Sequence, residues 1–175
     1  MKTRSLSHLL PLVLLAAFIC PGRAWSAGQS GETTEPIYDE SRDGSEQIAG
    51  ALEIAARDHK RVLLQFGANW CVWCHRLYDL YLSDPEISAT LKAGFVLVLI
   101  DVNGGNNGEV DQKYGNPTRL GLPVIVVLKS DGRLIATKNT AELEKGQGHD
   151  PAKVLAFLQS WSPKARDTCA VEPGT

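Results

Sequence analysis

The alternation of apolar and polar positions predicts five helices and four strands in the middle of the chain. A capping-box spacing at Asp43 and Glu46 starts the first helix, in which apolar residues recur every three or four positions. Residues 61–66 and 95–102 are short, nearly continuous apolar runs, which are typical of parallel strands covered on both faces. Two helices are expected between these runs, because residues 83–85 combine a helix end with a new cap and a proline.

The last part of this region predicts a strand hairpin and a closing helix. Residues 124–128 and 133–137 are strand-like, and the Asp-Gly pair between them is a hairpin signal. A short polar helix is expected at residues 109–114, and the final helix begins at Asp150-Pro151. Parallel strands need helical crossovers, whereas a hairpin is antiparallel. The order of elements therefore predicts an α/β fold with a central mixed sheet flanked by helices on both faces.

The N-terminus has the pattern of a secretory signal peptide over residues 1–26. Lys2 and Arg4 precede an apolar run at residues 9–19, and small residues follow it. The run is shorter than the roughly 20 residues that a membrane helix needs. We therefore expect a periplasmic or otherwise exported protein, with no stable membrane insertion after cleavage.

Three further segments complete the predicted organisation. Residues 27–44 are rich in Gly, Ser, Thr and Glu and are expected to form a flexible linker. Residues 45–162 form the predicted domain, and residues 163–175 form a polar tail that contains Cys169. We expect Cys169 to be dispensable, since no other cysteine is near it in sequence; the alternative is a mixed disulfide or a dimer link.

Charge excludes one class of partner. Cleavage after residue 26 would remove three of the 18 basic side chains and none of the 20 acidic ones, so the mature chain is net negative. It contains no run of Lys and Arg that could bind phosphates. We expect no binding to nucleic acid, and a monomer that acts on protein thiols and disulfides together with an unidentified electron donor.

The chemistry is concentrated in residues 70–75, where a buried strand is followed by the start of a helix. Cys71 and Cys74 are separated by two residues, a spacing that lets their sulfurs bond on a first helical turn. The free amides and dipole of the helix start favour a thiolate. We expect Cys71 to be the exposed, low-pKa nucleophile and Cys74 to resolve the mixed disulfide. This is thiol-disulfide exchange, and it needs no cofactor beyond the redox-active disulfide.

Two separated blocks of sequence resemble the thioredoxin-like family. Residues 62–71 resemble the strand of thioredoxins that leads to their active site. Residues 112–115, 119–123 and 129–132 are similar to the thioredoxin segment around its cis-proline and the following hairpin. The resemblance covers about residues 45–161 and implies a thioredoxin-like fold and an exported thiol-disulfide oxidoreductase with a WCxxC motif.

The resemblance also implies a substrate-binding surface. Pro123 is expected to be cis and to face the cysteines, and the backbone of Leu122 is expected to pair with an extended substrate segment. Trp70 and Trp73 are expected to contribute apolar cover beside the cysteines.

Departures from the family pattern bear on the proton chemistry and on direction. Gln65 stands where thioredoxins bury a carboxylate, and Leu97 stands where they often place its lysine partner. Losing both avoids an uncompensated buried charge, so the usual proton acceptor for Cys74 is absent and water or His75 is expected to serve instead. Between the cysteines, Val72-Trp73 supplies neither proline nor histidine. A reductase or isomerase is therefore favoured over a strong oxidase.

The motif at residues 70–75 is also compatible with other functions. Residues 71–75 match the c-type haem attachment signature, although the only methionine, Met1, belongs to the predicted signal peptide. Cys71, Cys74 and His75 could bind zinc, but no second ligand pair completes a site, and no metal is expected. The disulfide could be purely structural, and the domain could be a non-catalytic binding or chaperone module. His75 itself is favoured as a solvated residue of the first helical turn.

Overall fold

The structure, a computed structural model, describes residues 35–163. The predicted signal peptide, residues 27–34 of the predicted linker, and residues 164–175 with Cys169 lie outside the described residues. Five helices and six strands occur in the described range, together with three short 3-10 turns at residues 103–105, 117–120 and 140–143. The elements are α1 Gly44–Arg57, β1 Arg61–Gly67, α2 Val72–Ser83, α3 Pro85–Gly94, β2 Phe95–Asp101, α4 Gly108–Lys113, β3 Val124–Leu128, β4 Leu134–Asn139, β5 Glu144–Lys145, β6 Gly148–His149 and α5 Pro151–Trp161.

The four longer strands form a mixed sheet in the order β2-β1-β3-β4. β1 is parallel to β2 and antiparallel to β3, and β3 is antiparallel to β4. The predicted α/β fold with a mixed sheet is therefore confirmed. The two-residue strands β5 and β6 form a separate small hairpin that the sequence did not predict, because it is too short to show a period.

Apolar side chains cover both faces of the sheet. Val62, Leu64 and Phe66 of β1 pack with α1 and α4 on one face, whereas Leu63 packs with α2, α3 and α5 on the other. This division follows from the two-residue period of a strand, which directs successive side chains to opposite faces. Gln65 shares the parity of Leu63, so it is directed towards α2.

The helix starts follow the predicted capping signals. Asp43 accepts hydrogen bonds from the amides of Ser45 and Glu46 at the start of α1. Asp84 and Asp150 cap α3 and α5, and in each case the next residue is proline. A side-chain oxygen at this position satisfies amides that have no partner within the helix. The predicted starts of these three helices are thus confirmed to within one residue.

The segment of residues 35–43, which we call the leading segment, does not behave as the flexible linker predicted for it. Tyr38 is only 3% exposed and packs with the active-site cysteines. The composition of residues 27–44 predicted a linker because Gly, Ser, Thr and Glu outnumber Ile37 and Tyr38. Two large apolar side chains with hydrogen-bonding partners elsewhere are enough to fix this segment.

Candidate active site

Cys71 and Cys74 form a disulfide at the junction between β1 and α2. Cys71 is the N-cap of α2, and Cys74 lies in its first turn, with 5.2 Å between the two Cα atoms. Cys71 is 6% exposed and Cys74 is fully buried. The expectation of an exposed Cys71 is wrong, because apolar side chains pack around the pair, yet Cys71 remains the more accessible of the two residues.

The start of α2 provides the electrostatic environment of Cys71. Its sulfur accepts a hydrogen bond from the amide of Cys74 at 3.2 Å. Negative charge at a helix N-terminus is stabilised by the unpaired amides and the helix dipole. The reduced Cys71 is therefore placed where its thiolate form is favoured.

Gln65 lies fully buried beneath the disulfide. Its Nε2 donates to the hydroxyl of Tyr38 at 2.7 Å and to the carbonyl of Cys74 at 3.3 Å. Its Oε1 has no hydrogen-bonding partner within residues 35–163. In β2, Leu99 pairs with Gln65 and packs against the cysteines. Leu97 lies two residues earlier and pairs with Leu63. The residues around Gln65 thus leave it without a charged partner in β2.

Tyr38 is the site residue that sequence reasoning missed. A Cβ atom at Gly67 would lie 2.2 Å from the Tyr38 hydroxyl oxygen and 2.7 Å from the Cys74 sulfur. The hydroxyl and the sulfur therefore lie within about 5 Å of each other, the most that these two distances allow. Burial is the main cause that raises the pKa of the Tyr38 phenol far above its ordinary value. The only sequence signal was the pair of large apolar side chains, Ile37 and Tyr38, in an otherwise polar segment.

Asn69 joins the leading segment to the active-site loop. Its Oδ1 accepts hydrogen bonds from the amides of Ile37 and Tyr38 at 3.0 and 2.9 Å. Its Nδ2 donates to the carbonyl of Tyr38 and to the carboxylate of Glu40, both at 3.0 Å. Four hydrogen bonds from one side chain therefore position Tyr38 relative to Cys71, two residues after Asn69.

His75 is buried rather than solvated, so the favoured prediction for it is wrong. It is 5% exposed, and its Nε2 donates to the carbonyl of Asn69 at 2.8 Å. A carbonyl can only accept, which places a proton on Nε2. The ring therefore braces the loop before Cys71. A helical period predicted only which face His75 occupies, and could not show that a loop carbonyl lies opposite it.

The two tryptophans predicted to cover the cysteines differ in their surroundings. Trp70 is 67% exposed, and its Nε1 donates to Oδ1 of Asn103 at 3.0 Å. Trp73 packs against the cysteines. The ring of His149 meets it edge-to-face with 5.5 Å between centroids, and the Arg76 guanidinium lies 5.0 Å from its centroid. His149 and Arg76 were given no role from sequence.

The Leu122–Pro123 peptide bond is cis, which confirms the expected isomer. Pro123 is buried, and its carbonyl accepts a hydrogen bond from the hydroxyl of Thr140. Leu122 packs against the cysteines. No hydrogen bond joins the backbone of Leu122 to any residue between 35 and 163, so its amide and carbonyl remain available to an extended peptide.

No helix between residues 35 and 163 is long and apolar enough to cross a bilayer. In the same range, no group of three or more His, Cys, Asp and Glu side chains is placed to hold a metal ion.

A buried CxxC pair at a strand-to-helix junction, beside a cis-proline in a mixed sheet, defines a thiol-disulfide oxidoreductase of the thioredoxin fold. A family model described as thioredoxin-like matches residues 44–130. The chain belongs to the thioredoxin-like family. A solved structure of a disulphide isomerase from Xylella fastidiosa Temecula1 is 35% identical, with a TM-score of 0.64; the match covers 71% of this chain and 95% of that one.

Curated relatives agree with this class. The disulfide bond reductase DsbH of Chlamydia pneumoniae is 28% identical over 71% of this chain and 78% of its own length. The thiol:disulfide interchange protein DsbD of Vibrio vulnificus (strain YJ016) is 29% identical over 63% of this chain. The match spans only 18% of that longer protein, so the similarity concerns one part of it.

Proposed function

We propose that this chain is an exported disulfide reductase that passes two electrons from a dithiol donor to protein disulfides through Cys71 and Cys74. The observation that carries the proposal is that few groups around Cys71 can stabilise its thiolate. Its sulfur accepts one amide hydrogen bond, from Cys74, and the intervening Val72 and Trp73 add no charge. A strong oxidase holds its reduced form as a very stable thiolate, which needs more donors or positive charge than this.

The reaction proceeds by two exchanges at sulfur. The Cys71 thiolate attacks a substrate disulfide, forms a mixed disulfide and releases one substrate thiolate, which takes a proton from water. Cys74 then attacks the Cys71 sulfur, so the Cys71–Cys74 bond forms and the second substrate thiolate leaves. The substrate gains two electrons and the protein loses them, and a dithiol donor returns the pair to the reduced state by the reverse steps.

The surface around the disulfide supports docking of an extended peptide. Trp73 and Leu122 pack against the cysteines, and the exposed Trp70 directly precedes Cys71 in the chain. The unpaired backbone of Leu122 can hydrogen-bond to a substrate segment as an added strand would. Main-chain recognition of this kind tolerates many sequences, which suits a reductase of varied protein disulfides.

His75 argues against the haem and zinc readings of the motif. Its Nε2 donates to the Asn69 carbonyl, so that nitrogen is engaged inside the domain. With its proton on Nε2, the ring could bind a metal only through Nδ1, and the residue is only 5% exposed. Disulfide exchange uses the arrangement as it stands.

Export rests on the N-terminal pattern of Lys2, Arg4 and the apolar run at residues 9–19. An exported location also lets protein disulfides persist as substrates. The relative named disulfide bond reductase supports the direction of electron flow. The isomerase name of the Xylella fastidiosa structure favours rearrangement of disulfides as a second activity of the same cysteines.

Turnover with a dithiol and a protein disulfide tests the proposal. We expect the purified protein to accelerate reduction of the substrate, and Cys71→Ser to abolish the acceleration. Cys169→Ser is the matched control, because it removes a cysteine outside the proposed site, and it should retain wild-type turnover. Wild-type turnover in Cys71→Ser would overturn the proposal.

A further inference from the structure

We propose that the Tyr38 hydroxyl is a buried hydrogen-bond donor that stabilises the Cys74 thiolate during disulfide exchange. The inference rests on the proposed exchange at Cys71 and Cys74, and it assigns the group that serves the inner sulfur. Tyr38 lies in the leading segment, before the residues that the thioredoxin-like family model matches. None of the sequence motifs around the cysteines includes it.

The first support is proximity in a closed space. Tyr38 is 3% exposed, Cys74 is fully buried, and the two pack in one cluster with Cys71. Gly67 separates them, and the absence of a side chain there lets the hydroxyl and the sulfur approach to within about 5 Å. A buried thiolate is costly unless a donor is close, and the solvent that would otherwise supply one is excluded.

The second support is the direction of the hydroxyl proton. Gln65 Nε2 donates to the Tyr38 oxygen at 2.7 Å, so this hydrogen bond uses the oxygen as acceptor and leaves the O–H free to donate. Within residues 35–163, the hydroxyl donates to no acceptor in the disulfide form. A disulfide sulfur is a weak acceptor, whereas a thiolate is a strong one, so reduction creates the missing partner.

The third support is the protonation state of Tyr38. Burial, and to a lesser extent the nearby Asp101 carboxylate, raise its pKa, while the Gln65 hydrogen bond acts against them. The phenol therefore keeps its proton and acts as a donor, not as the base that a carboxylate would be. Tyr81 interacts electrostatically with Tyr38, and burial raises its pKa as well, so both tyrosines stay neutral.

The donor acts at a defined point in each direction of exchange. When a donor thiolate attacks Cys71, the bond between the cysteines breaks and its electron pair leaves on Cys74. When Cys74 resolves a mixed disulfide, the same thiolate is the attacking group. Tyr38 donates a hydrogen bond to the Cys74 thiolate in both cases and transfers no proton, and the substrate thiolate that leaves during resolution takes its proton from water.

A single-turnover experiment isolates the resolving step. All proteins carry Cys20→Ser and Cys169→Ser, are reduced, and are mixed with 5,5′-dithiobis(2-nitrobenzoate) in a stopped-flow instrument. The first coloured thiolate is released when Cys71 reacts, and the second when Cys74 resolves the mixed disulfide. The second phase is recorded against pH for the parent, Tyr38→Phe and the control Tyr114→Phe, since Tyr114 packs in the core on the other face of the sheet.

We expect Tyr38→Phe to move the pH midpoint of the second phase upward by about one unit, because a hydrogen bond to a charged group shifts such an equilibrium about tenfold. A thiolate of higher pKa is also about threefold more nucleophilic per unit. The variant should therefore be about threefold slower near neutral pH and no slower than the parent above both midpoints. The first phase of Tyr38→Phe should match that of the parent. Both phases of Tyr114→Phe should also match the parent.

An unchanged midpoint, or a second phase slowed equally at every pH, would overturn the role of Tyr38. Failure of the first phase in the parent would instead contradict the proposed function, so the two failures are distinguishable. If Tyr38→Phe does not fold, 3-fluorotyrosine at position 38 tests the same idea with an almost unchanged shape. Its more acidic phenol is a stronger donor and should lower the midpoint, and an unchanged or raised midpoint would again overturn the proposal.

Discussion

The Asn69 side chain holds both backbone groups of Tyr38, accepting from its amide at 2.9 Å and donating to its carbonyl at 3.0 Å. Asn69 in turn is followed two residues later by Cys71, and its own carbonyl accepts from His75. The leading segment, the loop before the cysteines and the first turn of α2 therefore form one hydrogen-bonded unit. A substitution in any of these three parts should therefore alter the surroundings of the disulfide.

Asn69→Ala should lower the free energy of unfolding by about 1–3 kcal/mol, since three part-buried backbone groups lose their partners. The leading segment should also become more sensitive to proteolysis, because its tether is removed. Urea denaturation and limited proteolysis measure the two effects. Asn103→Ala is the control: it removes one hydrogen bond, to the exposed Trp70, and should change stability by less than about 0.5 kcal/mol. Equal effects of the two variants would contradict the account.

Two glycines should respond oppositely to the same substitution. Gly67→Ala places a methyl group against the Tyr38 hydroxyl and the Cys74 sulfur, so it should lower the free energy of unfolding by about 1–3 kcal/mol. Gly50→Ala, within α1, meets no atom within 4 Å and should raise it by up to about 1 kcal/mol. Urea unfolding of both variants checks the prediction, which fails if Gly67→Ala is neutral.

His149 should make stability depend on pH. Burial, and then the nearby Arg76 charge, lower its pKa below its ordinary value of 6.5. The unfolded chain therefore takes up a proton before the folded one does, so stability is complete above about pH 6.5 and is lost as pH falls towards the folded pKa. Wild type should lose more of its free energy of unfolding between about pH 7 and pH 5 than His149→Gln does.

The control for this prediction is His59→Gln, since His59 is exposed. It should lose as much stability as wild type over the same pH interval. Urea denaturation at both pH values supplies the comparison. An equal loss in wild type and His149→Gln would show that His149 is not the group responsible.

The sequence pattern of neighbouring residues was enough to predict the helix starts and the first strand. The caps at Asp43, Asp84 and Asp150 and the continuous apolar run of β1 each depend on neighbouring residues, and the structure confirms them. The cis bond at Pro123 followed from the resemblance to thioredoxins and not from any property of the residues themselves.

Contacts between distant parts of the chain escaped prediction. Tyr38 meets Gln65 across 27 positions and Asn69 across 31, and no periodicity reports such a pairing. His75 was assigned to solvent because a helical turn shows which residues share a face but not what covers that face. The same limit applies to His149, which reaches Trp73 only because of the hairpin of β5 and β6.

The most direct test of the reductase account is the reduction potential of the Cys71–Cys74 pair. The protein is equilibrated with reduced and oxidised glutathione at several ratios, and the oxidised fraction is read by thiol alkylation and mass. Cys71 has one amide donor, and no charge lies between the cysteines. We therefore predict a reduction potential nearer to the roughly −270 mV of thioredoxin than to that of a strong oxidase. A value close to the roughly −120 mV of a strong oxidase would contradict the account.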